Sequence, residues 1–443
     1  MNKRILLKNA KIVNEGSVFE GDLLIINERI EKISATISDN NAQIIDCKGH
    51  YLIPGCIDDQ VHFREPGLTH KATIHSESRA AVAGGITAFM EMPNTKPAAL
   101  TSALLEEKYN IAAKSSIANY SFFMGTSNDN YDDLMRIDYS KVCGLKIFMG
   151  SSTGNLLVDN QSTLEKIFSN FPKLIATHCE DEQTILDNIE AYKKFDGIDA
   201  SYHPKIRSRE ACYKSSSFAV NLAKKNNTRL HILHISTKEE LALFQNNIAL
   251  QEKKITAEAC VHHLYFNDSD YQTLGNKIKC NPAIKSADDA YLIAQAVSNN
   301  YIDVIATDHA PHTIEEKNQS YWDAPSGLPL VQHSLLIMNT LAQKYNWTIE
   351  FLVEKMCHNP AICFKIKDRG FIREGYYADL VLFEPNSKNI IKSHELLYQC
   401  AWSPLENKAL LGNVELTFVN GKCVYDAGKI IEGSIGSRLE FHN

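Results

Sequence analysis

The sequence predicts an α/β protein: a (β/α)8 TIM barrel carrying a small composite β-sandwich domain formed by both termini. Three observations lead there. Eight apolar strand candidates fall between residues 54 and 365, separated by alanine-rich or amphipathic segments. Many of these runs are apolar on both faces, as expected for parallel strands covered by helices. Short strand patterns before residue 53 lack a covering layer, and the same pattern returns only after residue 366. The division that follows assigns 1–53 plus 366–443 to the composite β-sandwich domain and 54–365 to the (β/α)8 barrel.

In chain order, the first strands are 5–13, 21–26 and 30–33. A late pair, 378–383 and 414–422, includes Asn420-Gly421, a strong hairpin signal. The barrel strands begin with the run ending at His62. They continue through 86–92, 120–125, 144–149, 174–178, 230–236, 255–259 and 304–309, with helices expected at Ser76 to Ala83 and Ala211 to Lys225. Gly154-Asn155, Gly275-Asn276 and Ser326-Gly327 mark loops near the active face. The polar stretch from Pro311 to Pro329 is long for a βα connection and is expected to act as a lid.

A formal net charge of -7, without single-sign blocks, gives no electrostatic reason to expect nucleic acid or anionic lipid. The eleven cysteines are odd in number and contain no Cys-x-x-Cys pair, so reduced thiols in a cytoplasmic protein are expected. The first residues read as a strand and not a signal peptide, and no apolar run reaches the roughly 18 residues of a membrane helix.

Ionisable residues collect near the C-terminal ends of the strand candidates: His62 and Arg64, Asn94, Lys146, His178, His234, and Asp308 with His312. In a barrel those ends converge on the face where catalysis occurs. Lys146 lies within an apolar strand, where an unpaired ammonium is costly. It is either a lysine snorkelling to solvent or an amine of lowered pKa that has condensed with carbon dioxide. The resulting carbamate is an anion able to bridge two metals. His178 and His234 are then candidate imidazole ligands suited to zinc, against the alternative of hydrogen-bonded core histidines. Asp308 is placed to touch a metal and take a proton, or else caps a helix. Arg64 and Asn94 carry no metal-ligand logic. Paired guanidinium donors and an amide point to an acidic small molecule, a structural Arg64–Glu65 bridge being the alternative.

Taken as an ordered series, these motifs make the chain recognisable. It resembles the dihydroorotases of the amidohydrolase superfamily over nearly its whole length. The matching stretches are Pro54-Gly55-x-Ile57-Asp58 to His62-x-Arg64-x-Pro66-Gly67, Met92-Pro93-Asn94-Thr95, Gly144-Leu145-Lys146 and His178-Cys179-Glu180-Asp181. His234-Ile235-Ser236-Thr237, Glu258-x-x-x-His262-His263, Asn281-Pro282, Thr307-Asp308-His309-Ala310-Pro311-His312 and Asp379-Leu380-Val381 complete the set. The resemblance implies reversible conversion of N-carbamoyl-L-aspartate to L-dihydroorotate in pyrimidine synthesis, a homodimer, and one or two zinc ions. It further implies Lys146 as N6-carboxylysine bridging the metals, His178 and His234 on one, and His62 and Asp308 on the other. Asp308 is the expected catalytic acid–base. Arg64, Asn94 and His312 are expected to hold the substrate carboxylate, with Asn281 lining the pocket.

One departure stands out. The family reads His-x-His after the first barrel strand, and Gln60 occupies the first position. A neutral amide is a weaker zinc ligand than imidazole. Gln60 is therefore either a weak ligand, or absent from a one-zinc site, or the mark of an inactive relative retained as a partner of aspartate carbamoyltransferase. Allantoinase and hydantoinase are the rival enzyme readings, and a hydantoin offers Arg64 no carboxylate.

Overall fold

The computed structural model describes residues 3–150, 156–433 and 436–442. Gly154-Asn155 lies outside the described residues.

The two ends of the chain build one sheet. β1 (Arg4–Asn14), β2 (Ser17–Ile26), β3 (Arg29–Ser34), β4 (Gln43–Asp46) and β5 (Tyr51–Pro54) come from the N-terminal side. The late strands β15 (Leu380–Ile390), β16 (Ala409–Val419), β17 (Lys422–Asp426) and β18 (Lys429–Ile430) join them, and the sheet has the order β18–β17–β16–β15–β5–β1–β2–β3, with β4 beside β1. Val381 pairs with Ile53 and Leu382 with Leu52, so the seam between early and late sequence is a hydrogen-bonded ladder. Inward-facing Ile5, Leu7, Ile12, Leu23, Ile25, Leu52, Leu380 and Phe418 make its apolar core. Alternation of period two places them on one side. At the predicted hairpin, Asn420 (φ 49°) and Gly421 (φ 70°) take left-handed conformations between two strands, as a two-residue type I′ turn requires.

The barrel strands are β6 (Cys56–Val61), β7 (Ile86–Glu91), β8 (Asn119–Phe122) running into β9 (Met124–Gly125), β10 (Leu145–Phe148), β11 (Ile175–His178), β12 (Leu230–Ile232), β13 (Ile255–Cys260) and β14 (Val304–Ala306). All their pairings are parallel. A parallel bridge between Val61 and His309, with the His62 amide donating to the His309 carbonyl at 2.7 Å, joins the last strand to the first. All but one of the residues of these strands are buried, which explains why they read as continuous apolar runs.

The predicted helices occupy Ile74–Ala83 and Arg209–Asn226. Thr73 and Ser208 cap them by accepting from the backbone amides of Ser76 and Ala211. Beyond the late sheet the tail turns back to the barrel. Leu439 and Phe441 pack with Ile57, Phe123 and Phe364, and the Leu439 amide donates to the Tyr120 carbonyl at 2.9 Å. Every cysteine is a free thiol among the described residues. No described helix is long and apolar enough to cross a membrane.

Candidate functional site

The ends of the barrel strands open on a cavity of about 410 Å³ lined by Gln60, His62, Arg64, Asn94, Lys146, His178, His234, Asn281, Asp308 and His312. All ten predicted site residues therefore line one cavity. β6 supplies Gln60 and leads into His62 and Arg64, and β7 leads into Asn94. Lys146 lies on β10, His178 closes β11, His234 follows β12 and Asp308 follows β14. Arg64 (φ 68°), His234 (φ 39°) and Asp308 (φ 46°) adopt left-handed backbone that side chains rarely tolerate. Such strain concentrates where side chains must be aimed.

Two imidazoles meet at the floor. His178 Nδ1 lies 3.0 Å from His234 Nε2, and His178 Nε2 faces the Glu180 carboxylate at 3.0 Å. A carboxylate can only accept, so the proton of His178 sits on Nε2 and its Nδ1 presents a lone pair. Glu180 is fully buried and also accepts from Arg207 at 2.5 Å. Burial opposes its ionisation, but Arg207 and His178 together hold its carboxyl at about 2. Burial pushes His234 well below the usual imidazole range, which leaves it neutral.

Lys146 is 1 % exposed, and its amine lies 4.7 Å from the Phe148 ring centre. It makes no salt bridge among the described residues. Burial lowers its pKa to about 8, so the free-base amine that reacts with carbon dioxide is accessible near neutral pH. An amine without a carboxylate partner, beside two neutral imidazoles, suits a cation site once it carries a carbamate. The donor set fits a divalent metal of the zinc type.

Across the cavity Asp308 Oδ1 is 3.0 Å from His62 Nε2 and accepts from the Gln60 amide nitrogen at 3.0 Å. His62 Nδ1 is 2.8 Å from Asn94 Oδ1. Burial raises the pKa of Asp308, but the hydrogen bond and charge of His62 outweigh it, and the net direction is downward. Asp59, next to Gln60, turns away as the strand alternation predicts and faces His231 at 3.1 Å.

Arg64 is not bridged to Glu65. Its Nε donates to the Pro311 carbonyl at 3.0 Å, and its Nη2 lies 3.0 Å from His312 Nε2. Glu65 instead accepts from the Ile74 amide at the start of a helix. No carboxylate lies within ion-pair distance of Arg64 among the described residues, and burial lowers its pKa to about 10. Lys71 donates to His312 Nδ1 at 2.9 Å and pairs with Glu316 at 2.8 Å.

The 311–329 connection is stitched down by two buried lysines. Lys317 donates to the carbonyls of Lys279, Pro325 and Gly327, and Lys279 donates to those of Tyr321 and Ala324. At Gly327 (φ +136°) a Cβ would meet the Ala310 carbonyl at 2.4 Å, so only glycine allows this wall to approach.

Sequence reasoning missed Lys71, Lys96, the Glu180–Arg207 support of His178, and Cys260 beside Gln60. Glu180 carried a signal, standing two residues after a histidine at a strand end. Lys71, Lys96 and Arg207 reach the site from loops and carried none.

The fold and this cluster of polar side chains at the strand ends are those of a barrel hydrolase, with candidate metal ligands among them. The match of residues 51–424 to the amidohydrolase family shows that the chain belongs to that family. Its relatives include a dihydroorotase from Methanosphaera stadtmanae, 33% identical over 426 residues and covering 95% of this chain and 96% of the relative. A dihydroorotase from Lactococcus lactis is 34% identical over 438 residues, covering 96% and 99%. Within the amidohydrolases the chain thus belongs with the dihydroorotases. The L-hydantoinase (dihydropyrimidinase) of Arthrobacter aurescens shares the fold, with a TM-score of 0.94 over 99% of this chain and 100% of that one at 24% identity.

Proposed function

We propose that this chain catalyses the reversible, metal-dependent conversion of N-carbamoyl-L-aspartate to L-dihydroorotate and water, a step of pyrimidine synthesis. The observation that carries the reading is Arg64: a buried guanidinium without a carboxylate partner among the described residues, facing the same cavity as His178, His234 and Lys146. Desolvating such a group is costly unless an anion completes it. A hydantoin brings no carboxylate to Arg64, whereas both proposed substrates do.

Lys146 as N6-carboxylysine, His178 and His234 would hold one zinc ion, and His62 and Asp308 would line the position of a second if one were bound. When bound, the metal supplies Lewis-acid activation of the reacting carbonyl and of water. The protein's own residues do the rest. Arg64, Asn94 and His312 grip the carboxylate that stays outside the ring, with Lys71 held against His312 Nδ1 at 2.9 Å. Asn281 lines the side of the pocket where the ring sits. In ring opening Asp308 removes a proton from the attacking water and returns one to the leaving ring nitrogen. In closure it runs in reverse. The loop pinned by Lys279 and Lys317 forms the outer wall.

A cytoplasmic homodimer is the setting this reading supports, and association with aspartate carbamoyltransferase is compatible with it. The test is loss of dihydroorotate absorbance with hydantoin and allantoin as controls. Turnover of dihydroorotate alone supports the reading, and hydantoin turnover without dihydroorotate turnover refutes it.

A further inference from the structure

Gln60 stands where the family's pattern has histidine, and its hydrogen bonds show what it does in place of ligating a metal. It is 1 % exposed. Its amide nitrogen donates to Asp308 Oδ1 at 3.0 Å, and its amide oxygen lies 3.8 Å from the Cys260 thiol. The neighbours dictate this orientation. A carboxylate accepts and never donates, so turning the amide oxygen toward Asp308 would set two oxygens against each other. Turned as it is, the N–H makes a charge-assisted bond. The thiol is a weak donor with a closer acceptor in Glu258 Oε1 at 3.2 Å, so it imposes little. Gln60 therefore turns its only ligating atom toward Cys260 and away from Asp308, one of the two groups that line the outer position beside His62.

A cation in that outer position would require Gln60 to flip, give up the Asp308 bond and end as a neutral oxygen donor. The inner position asks only for a tautomer shift: His234 moves its proton from Nε2 to Nδ1, and both imidazoles then turn a lone pair to one ion. His178 Nδ1 and His234 Nε2 already face each other at 3.0 Å on one wall with Lys146. We infer that this chain works with a single divalent cation, held at the inner position by Lys146, His178 and His234, and that Gln60 is a positioning residue orienting Asp308. The inference rests on the metal-centre reading above and narrows it to one ion and one place.

The experiment counts zinc per chain by elemental mass spectrometry after equilibration with zinc and gel filtration, for the full-length protein and two variants. One equivalent is expected in the parent protein, and a second in Gln60→His, which restores the imidazole. Gln60→Leu keeps its one equivalent, while kcat falls by about tenfold or more with KM for dihydroorotate little changed, because orientation of the acid–base and not substrate grip is lost. Two tight equivalents in the parent, falling to one in Gln60→Leu, would make Gln60 a ligand and overturn the inference. So would a Gln60→His variant that gains no metal. Zinc-free protein that still turns over dihydroorotate would refute the metal site while leaving the substrate assignment standing, which separates the two failures.

Discussion

Removing the charge of Glu180 while keeping its shape, as in Glu180→Gln, is expected to loosen the metal site without touching a ligand. Glu180 accepts from His178 Nε2 at 3.0 Å and from Arg207 at 2.5 Å, and it is fully buried. The glutamine retains an acceptor for His178, but its amide cannot balance Arg207, and its N–H₂ competes for the wrong partner. Loss of an orienting partner of a metal-bound histidine typically costs about 10–100-fold in affinity. That range corresponds to roughly 1.4–2.7 kcal/mol. The same substitution changes acid stability. Glu180 is held at about 2 against the usual 4.5, so the folded state releases its proton more readily than the unfolded chain. The pairing therefore stabilises fully above pH 4.5 and is lost as pH falls toward 2, a contribution on the order of 3 kcal/mol. Zinc affinity is measured by competition with a chromophoric chelator, and stability by denaturant unfolding of metal-free protein between pH 3 and 7. A variant with unchanged zinc affinity and an unchanged acid limb would refute the claim that Glu180 sets the His178 tautomer and orientation.

Lys146→Ala should lose both bound zinc and turnover, and native intact-mass measurement should show the added mass of one carbon dioxide on the parent and none on Lys146→Ala. Arg64→Met should lower kcat/KM for dihydroorotate by at least about 100-fold, since a charge-assisted carboxylate grip is lost, while zinc content stays the same. Equal zinc content with unaltered kcat/KM would contradict the role of Arg64. Lys317→Met removes the lysine donor from the Pro325 and Gly327 carbonyls, and one of two donors from that of Lys279, and should destabilise the protein by about 1–3 kcal/mol, with faster proteolysis within 311–329 than elsewhere. Unchanged proteolysis there would show that Lys317 does not pin the loop.

Much of this was legible in the sequence because a barrel strand carries its signal locally. Eight runs with few polar residues announce burial on both faces, and a histidine or lysine at such a run's end has few structural reasons to be there. Gln60, His62, Lys146, His178 and Asp308 were visible for that reason. The terminal sheet was legible from symmetry of pattern, and the ladder joining β5 to β15 is the contact that makes it one sheet. What escaped depends on contacts between distant loops. Lys71 reaches His312 across 241 residues of sequence, and Arg207 reaches Glu180 from a segment with no periodic signal. The 311–329 connection looked like a lid because it is long and polar. The hydrogen bonds that Lys279 and Lys317 donate to hold it go to backbone carbonyls, which no side-chain pattern reveals. The turn of the Gln60 amide is likewise set by Asp308, 248 residues away.

Anomalous diffraction at the zinc edge from crystals of the isolated enzyme tests the central claim most directly. One peak within bonding distance of His178 Nδ1, His234 Nε2 and a carboxylated Lys146 is the expected result. A peak at another cluster of side chains, with this cavity holding no metal and Lys146 a bare amine, would contradict it.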